Sequence, residues 1–372
     1  VGAIRRKSGQ DDIMGGSQMS NFTRRRGRMA LAALLPAVLL AATFGLAASS
    51  SGATKAALKK PPKIVIGFAA ITEAAPVVTQ SIASLEQGAK LLGWSVKVVN
   101  ANGDPSLMAS GFSSLVNEHV NAIVDLAIQP SEAQAGFKAA KAAGIPIIEL
   151  GAPLIDPQHL SSVTYTPSDP QLAKLVADQM ISDLHGKGSL LVLQASSQPA
   201  IVARNQELDT LLKGTGITIA TTHETDLANI VSDTASEVSD ALRANAKINA
   251  VWAPQDPDFA PAVQTIVNQH LGNVGVYSIY LDPIDFPLLR KHQVPMAISD
   301  SPLADCSWYA LDALVNKFVL KKANWITSES IHPLPYVLVT PKNVPSGSSY
   351  PYAPFQPFFQ QRWTSEGVSA NA

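Results

Sequence analysis

From Lys63 onward the chain alternates short apolar runs with longer stretches in which apolar positions recur at helical spacing. The first run, Ile64-Val65-Ile66-Gly67-Phe68, precedes an amphipathic segment from Pro76 to Leu92. Then come Val96-Lys97-Val98-Val99, a helix over 105–118, Ala122-Ile123-Val124-Asp125-Leu126, a helix over 131–143 and Ile145-Pro146-Ile147-Ile148. Short runs rich in Val and Ile, set between helical segments, predict parallel strands covered on both faces. Pro76 and Pro105 stand where the first turn of a helix has no use for an N–H.

The pattern then starts again. Leu190-Leu191-Val192-Leu193, Ile217-Thr218-Ile219, Ala250-Val251-Trp252 and Val274-Gly275-Val276-Tyr277 read as strands, with helices near 199–213, 231–246 and 257–271. Asn121-Ala122-Ile123-Val124 before Gln129-Pro130 is echoed by Asn249-Ala250-Val251-Trp252 before Pro254-Gln255. The repeated order predicts an α/β fold of two doubly wound, three-layer lobes. After it lie Pro295-Met296-Ala297-Ile298-Ser299, a helix over 303–320 and the strand Tyr336-Val337-Leu338-Val339, more than a tandem pair of domains needs. These extra elements predict a multi-crossing hinge, with the chain passing between lobes near 165, 300 and 327. Residues 63–165 with 301–326 would form lobe 1, and 166–300 with 327–342 lobe 2. Residues 54–62 read as a linker and 343–372 as a Pro/Ser/aromatic tail.

Charge adds a compartment. The net charge of the 372 residues is −1, but seven of the 28 basic and two of the 29 acidic residues fall within 1–53, leaving 21 against 27. An acidic body argues against nucleic acid as a partner. The basic excess belongs to Arg24-Arg25-Arg26-Gly27-Arg28, followed by a weakly polar run from Met29 to Ala48 and then Ser49-Ser50-Ser51-Gly52. Basic, apolar and small segments in that order read as a secretory signal cleaved between Ala47 and Ala53. The run has about the length of a membrane-spanning helix, the competing reading, but its alanine content and Pro36 favour cleavage. With no Cys near its exit, an exported protein without a lipid anchor is expected.

The order of elements over residues 63–342 resembles the type I periplasmic binding proteins, in the ribose- and sugar-binding branch that serves ABC importers. The pieces that carry the likeness are Lys63-Ile64-Val65-Ile66-Gly67, Glu86-Gln87-Gly88-Ala89 before Gly93-Trp94, Ala142-Ala143-Gly144-Ile145-Pro146-Ile147 and Ala203-Arg204-Asn205. The resemblance implies two lobes that close on a small-molecule ligand, with an ABC permease in the membrane as the partner of a monomer. In open α/β sheets ligands lie at the carboxyl ends of strands. That rule selects Thr72, Glu73, Gln129, Ser131, Glu132 and Gly151 in the first lobe, and Arg204, Gln255, Asp256, Asp282 and Asp300 in the second. By the likeness, Arg204 matches an arginine that sugar binders turn toward ligand hydroxyls or ring oxygens, Gln255-Asp256 an Asn-Asp pair, and Asp300 a polar cleft residue. Arg204 is expected to be the main charged anchor, with Asp256 and Asp300 around it. Where sugar binders often place stacking aromatics and an Asp-Arg pair, this chain has Ala74-Ala75-Pro76-Val77-Val78 and Gly151-Ala152. The likeness therefore implies a ligand less hydroxylated than ribose, or a sugar held differently.

Catalytic signatures are missing from usable contexts: no dinucleotide or phosphate loop, no nucleophile elbow and no zinc-binding His pair. The seven histidines are scattered, and the single Cys, Cys306, reads as a small buried apolar residue. Neither a cofactor nor a metal is expected. Trp308 and Tyr309 read as core, and Asp282 with Asp285 as ligand contacts or as turn and cap residues. A solute-binding protein is thus expected rather than a hydrolase or a transcription regulator. A sensory protein reporting ligand occupancy to a membrane receptor stays open beside transport.

Overall fold

The computed structural model describes residues 58–370, apart from Ala74 and Leu154. The expected export segment, its cleavage site and the first four residues of the expected linker lie outside the described residues. The described residues form two sheets. The first is built from β1 (Val65–Ala70), β2 (Ser95–Asn100), β3 (Ala122–Leu126), β4 (Ile147–Leu150) and β5 (Val163–Tyr165), all parallel, in the order β2-β1-β3-β4-β5. Helices α1 (Pro76–Leu91), α2 (Pro105–Asn117) and α3 (Gln134–Ala142) connect the strands. The helix expected over 131–143 begins only at Gln134, because residues 129–133 form a turn closed by the Glu132 N–H on the Gln129 carbonyl.

After β5 the chain enters α4 (Asp169–Asp183), which packs on α5 (Pro199–Leu212) and against the second sheet. That sheet holds β6 (Lys187–Gln194), β7 (Gly216–Glu224), β8 (Ala250–Ala253), β9 (Gly275–Ile279), β10 (Met296–Asp300) and β11 (Val337–Val339), in the order β11-β10-β9-β8-β6-β7. Only β11 runs antiparallel in it. Helices α6 (Ile230–Ala244), α7 (Asp256–Asn268) and α8 (Asp285–Lys291) complete the series. The chain then leaves the second sheet after Asp300, forms α9 (Cys306–Phe318) against α1, β4 and β5, and returns as β11.

Each sheet is covered on both faces, as apolar strands require. On the first, Ile123, Ile147 and Phe137 belong to the α2/α3 side, and Val124, Ile148 and Leu85 to the α1/α9 side. The latter cluster runs on into the α4/α5 side of the second sheet, while Leu191, Val251 and Val276 pack under α6 and α7. Trp308, Tyr309 and Cys306 are fully buried in that continuous core, as their sequence context suggested.

Residues 343–372, read as a tail, depart from that expectation. They carry α10 (Phe355–Ser365), whose Phe355, Phe359 and Trp363 are buried against α9. The Trp363 indole N–H donates to Asp312 at 2.8 Å, and beyond the helix Gly367 and Ser369 bond the backbone of Lys59. Three aromatic side chains at i, i+4 and i+8 outweigh the Pro and Ser around them.

Candidate functional site

In each sheet the connections reverse direction once, between β1 and β3 in the first and between β6 and β8 in the second. Strand ends at such points leave a crevice open to ligands. In the second lobe five elements converge there: the start of α5, the β8–α7 junction, the loop after β9, the end of β10 and the first turn of α4.

Arg204, on α5, is almost fully buried. Its Nε donates to Asp169 Oδ1 at 2.8 Å, its Nη1 to the Pro254 carbonyl at 2.7 Å, and its guanidinium lies 5.0 Å from the centre of the Tyr280 ring. Of the expected shell, Asp256 stands close enough to act on Arg204 electrostatically, but neither it nor Asp300 bonds the guanidinium directly. The direct counter-ion is Asp169, delivered by α4, because its carboxylate stands where the guanidinium fork points. Burial pushes the Asp169 carboxyl up while Arg204 pulls it down, and Arg204 itself is held more firmly protonated by the same contact. A buried arginine keeps its charge, so the two form a neutralised ion pair.

Asp256 and Asp282 share a hydrogen bond, which requires one of them to be protonated. Burial and the neighbouring Asp282 push the Asp256 carboxyl well above the usual carboxylate range, and burial raises Asp282 as well, so the pair holds a proton between them. Asp285 Oδ2 accepts the Asp282 N–H at 2.8 Å, a cap at the start of α8, and burial raises Asp285 to about 8. Asp300 closes β10. Its Oδ1 accepts the Leu281 N–H at 3.3 Å and its Oδ2 the Tyr352 hydroxyl at 2.8 Å. Burial raises Asp300 to about 7, against the lowering effect of those donors. Gln255 precedes α7 and its carbonyl accepts Ser278 Oγ at 3.2 Å.

Tyr280 stands in the left-handed region, with φ 71°, directly after β9. A non-glycine residue there is strained, and such strain gathers at sites that need a side chain aimed in one direction. Its hydroxyl has no hydrogen-bond partner among the described residues, nor do the buried Ser299 and Ser301 hydroxyls and Asp285 Oδ1. Orphaned buried polar atoms are rare, and these four lie about the carboxyl ends of β9 and β10, with others elsewhere among the described residues.

The first lobe is built differently. Gln129 is buried but spends its side chain on the loop after β4, accepting Ile155 N–H at 3.0 Å and donating to the Pro153 carbonyl at 3.5 Å. Glu132 accepts the Gln129 N–H at 2.7 Å. Gly151, at φ 83°, lets the chain turn beside Leu303, where a Cβ would meet the leucine methyls at 3.3 Å. These three shape the loops rather than presenting free polar groups. Thr72 is half-buried, while Glu73 and Ser131 are exposed at the rim. Beneath the loops the Asp125 and Glu149 carboxyls, neighbours across β3 and β4, are completely buried, and Glu149 Oε1 accepts the Ala127 N–H at 2.8 Å. Burial raises Asp125 to about 7 and Glu149 well above its ordinary value.

Of the residues singled out from the sequence, the structure brings Arg204, Asp256, Asp282 and Asp300 to one set of strand ends, and beside them it places Asp169, Tyr280 and Tyr352, which the sequence reading did not name. Ser168 capping the Gln171 N–H, with Pro170 next to Asp169, marks the start of α4 and was the available signal for the first. No group of His, Cys, Asp and Glu among the described residues has a metal-binding arrangement, and no described helix is long and apolar enough to cross a membrane.

Comparison with known proteins places this architecture. A xylitol-binding protein from Mycolicibacterium smegmatis is 24% identical over 266 residues, covering 69% of this chain and 72% of that protein. An ABC transporter solute binding protein from Mycobacterium smegmatis, solved with bound glycerol, superposes with a TM-score of 0.68 at 18% identity, over 78% of this chain and all of that one. One from Agrobacterium vitis with bound allitol gives 0.67 at 19% identity, over 76% and 97% of the two chains. The model of a periplasmic binding protein domain matches residues 66–321. With two doubly wound lobes and a polar cluster at their strand ends, the chain belongs to the periplasmic binding protein domain family.

Proposed function

We propose that the chain is the exported, monomeric substrate-binding protein of an ABC importer, and that it holds a small uncharged polyol or sugar between its lobes. The observation that carries this reading is the acceptor-rich, acidic lining of the second lobe. The guanidinium is already matched by Asp169, so Asp256, Asp282, Asp285 and Asp300 leave the site with an excess of carboxyl groups. Carboxylates accept hydrogen bonds from ligand hydroxyls, and the orphaned Tyr280, Ser299 and Ser301 hydroxyls can both donate and accept. A ligand with many hydroxyls fits such a lining; a ligand carboxylate or phosphate would add a further acidic group to a cluster that already holds protons to limit its own repulsion. The xylitol-binding relative and the glycerol- and allitol-bound structures support the same class.

Residues 63–165 with 301–326, and 166–300 with 327–342, would move as the two lobes about the crossings after Tyr165, after Asp300 and before β11. Closure would bring the rim residues Thr72, Glu73 and Ser131 over a ligand seated on the second lobe.

Calorimetry and thermal shift with xylitol, allitol, arabinose and ribose, set against the corresponding sugar acids, test the reading. Saturable binding of at least one neutral compound is expected, with compaction in small-angle scattering. A sugar acid binding as tightly as its neutral counterpart would overturn it.

A further inference from the structure

The matched family domain ends at residue 321, yet one contact to the candidate site comes from beyond it. We propose that Tyr352, on the segment between β11 and α10, is a positioning residue of the ligand site, holding the Asp300 carboxylate in the orientation that meets ligand hydroxyls. The inference rests on the polyol-cleft reading above.

The geometry of the segment fixes where Tyr352 can be. On one side Arg290 Nη1, at the end of α8, donates to the carbonyls of Pro345 and Gly347 at 2.8 and 2.9 Å, tying the segment to the second lobe. On the other side Phe355 is buried with Tyr309 of α9, which packs on the first sheet. The residues between these anchors span from one lobe to the other, and Tyr352 sits among them. Its ring lies 4.6 Å from that of Tyr350, which packs on the core of the second lobe. With the ring so held, the hydroxyl has one strong acceptor, Asp300 Oδ2 at 2.8 Å.

Asp300 needs such a donor. It is only 8% exposed, and the groups that face it are the Asp282 and Asp285 carboxyls, the Tyr280 ring and the Leu281 N–H. Burial and the neighbouring Asp282 favour its protonated form, while the Tyr352 hydroxyl and the Leu281 and Ser301 N–H groups favour the carboxylate. One donor on each oxygen also stops the carboxylate rotating, leaving the remaining lone pairs fixed in direction. Without the hydroxyl, Asp300 loses the donor that fixes Oδ2 and takes up a proton at higher pH, and a protonated acid loses acceptor capacity toward a polyol.

Tyr352→Phe keeps the ring and the path of the segment and removes only the donor. Two measurements on the full chain decide the matter. In carboxyl carbon-13 NMR without ligand, with Asp300→Asn used for assignment, the Asp300 midpoint should move to higher pH in Tyr352→Phe. In calorimetry with xylitol or whichever tested polyol the parent binds, affinity at pH 7 should fall about tenfold, the weight of one hydrogen bond to a charged group. Raising the pH to 8.5 should recover part of that loss. In an Asp300→Asn background Tyr352→Phe should change affinity less than twofold. A loss that persists in that background, an unmoved Asp300 midpoint, or parent-like affinity and pH profile would each overturn the assignment. A parent that binds none of the polyols would instead overturn the cleft reading and this inference with it.

Discussion

Removing the Arg204 guanidinium would leave Asp169, whose side chain is 3% exposed, as a buried carboxylate without its counter-ion. Breaking one side of a buried pair costs ~3–5 kcal/mol, mostly the desolvation of the partner left behind. Arg204→Ala is therefore expected to lose stability as well as ligand affinity, which a urea titration with a binding isotherm would show together. Arg204→Lys should recover only part of the stability, because an ammonium cannot reach Asp169 and the Pro254 carbonyl as a planar fork does. Arg243, whose side chain is 71% exposed, should tolerate Ala within about 0.5 kcal/mol. An Arg204→Ala protein as stable as the parent would mean Asp169 finds another partner. The sequence made Arg204 visible through its place near the start of a helix that follows a strand. Asp169 was not visible in the same way, since its partner is 35 residues away and pairing across elements leaves no local pattern. An acid in the first turn of a helix reads as ordinary capping.

Helix α10 marks where element-level reading ran short. Strands β1, β3, β6, β8, β9 and β10 announce themselves because buried parallel strands are continuous Val, Ile and Leu runs. Helix α4, to which the sequence reading assigned no element, carried a usable signal in Leu172, Ala173, Val176, Ala177 and Met180 at helical spacing. By contrast α10 is short, has Pro357 in its first turn, and follows a stretch rich in Pro, Ser and Gly, so composition masked its aromatic stripe. That stripe is structural: Phe359 lies 5.7 Å from the Tyr309 ring centre and 6.1 Å from that of Trp308. Phe359→Ala should cost ~3–5 kcal/mol, the usual loss for a large buried aromatic. Differential scanning calorimetry would measure it; a change under 1 kcal/mol would mean that α9 stands without its cover.

Across the whole molecule the buried acids give folding a pH dependence of one sign. Burial raises Asp125, Asp258 and Asp300 to about 7, Asp285 to about 8 and Glu149 above its ordinary value. Between the unfolded values near 4 and these folded values the native state binds more protons than the unfolded chain, so stability falls as pH rises through that window. The unfolding temperature should accordingly be higher at pH 5 than at pH 8, and Asp125→Asn should flatten the slope. A profile rising from pH 5 to 8 would show these carboxyls ionised in the native state. A last consequence follows from α9 and α10 covering α1. The strands at 65–165 are made first on the ribosome, but Leu85, Ala89 and Trp94 stay open to water until residues 306–363 emerge more than two hundred positions later. The amino-terminal lobe is thus the last to mature. Its strands settle late although they are made early, because part of their cover is supplied from the far end of the chain.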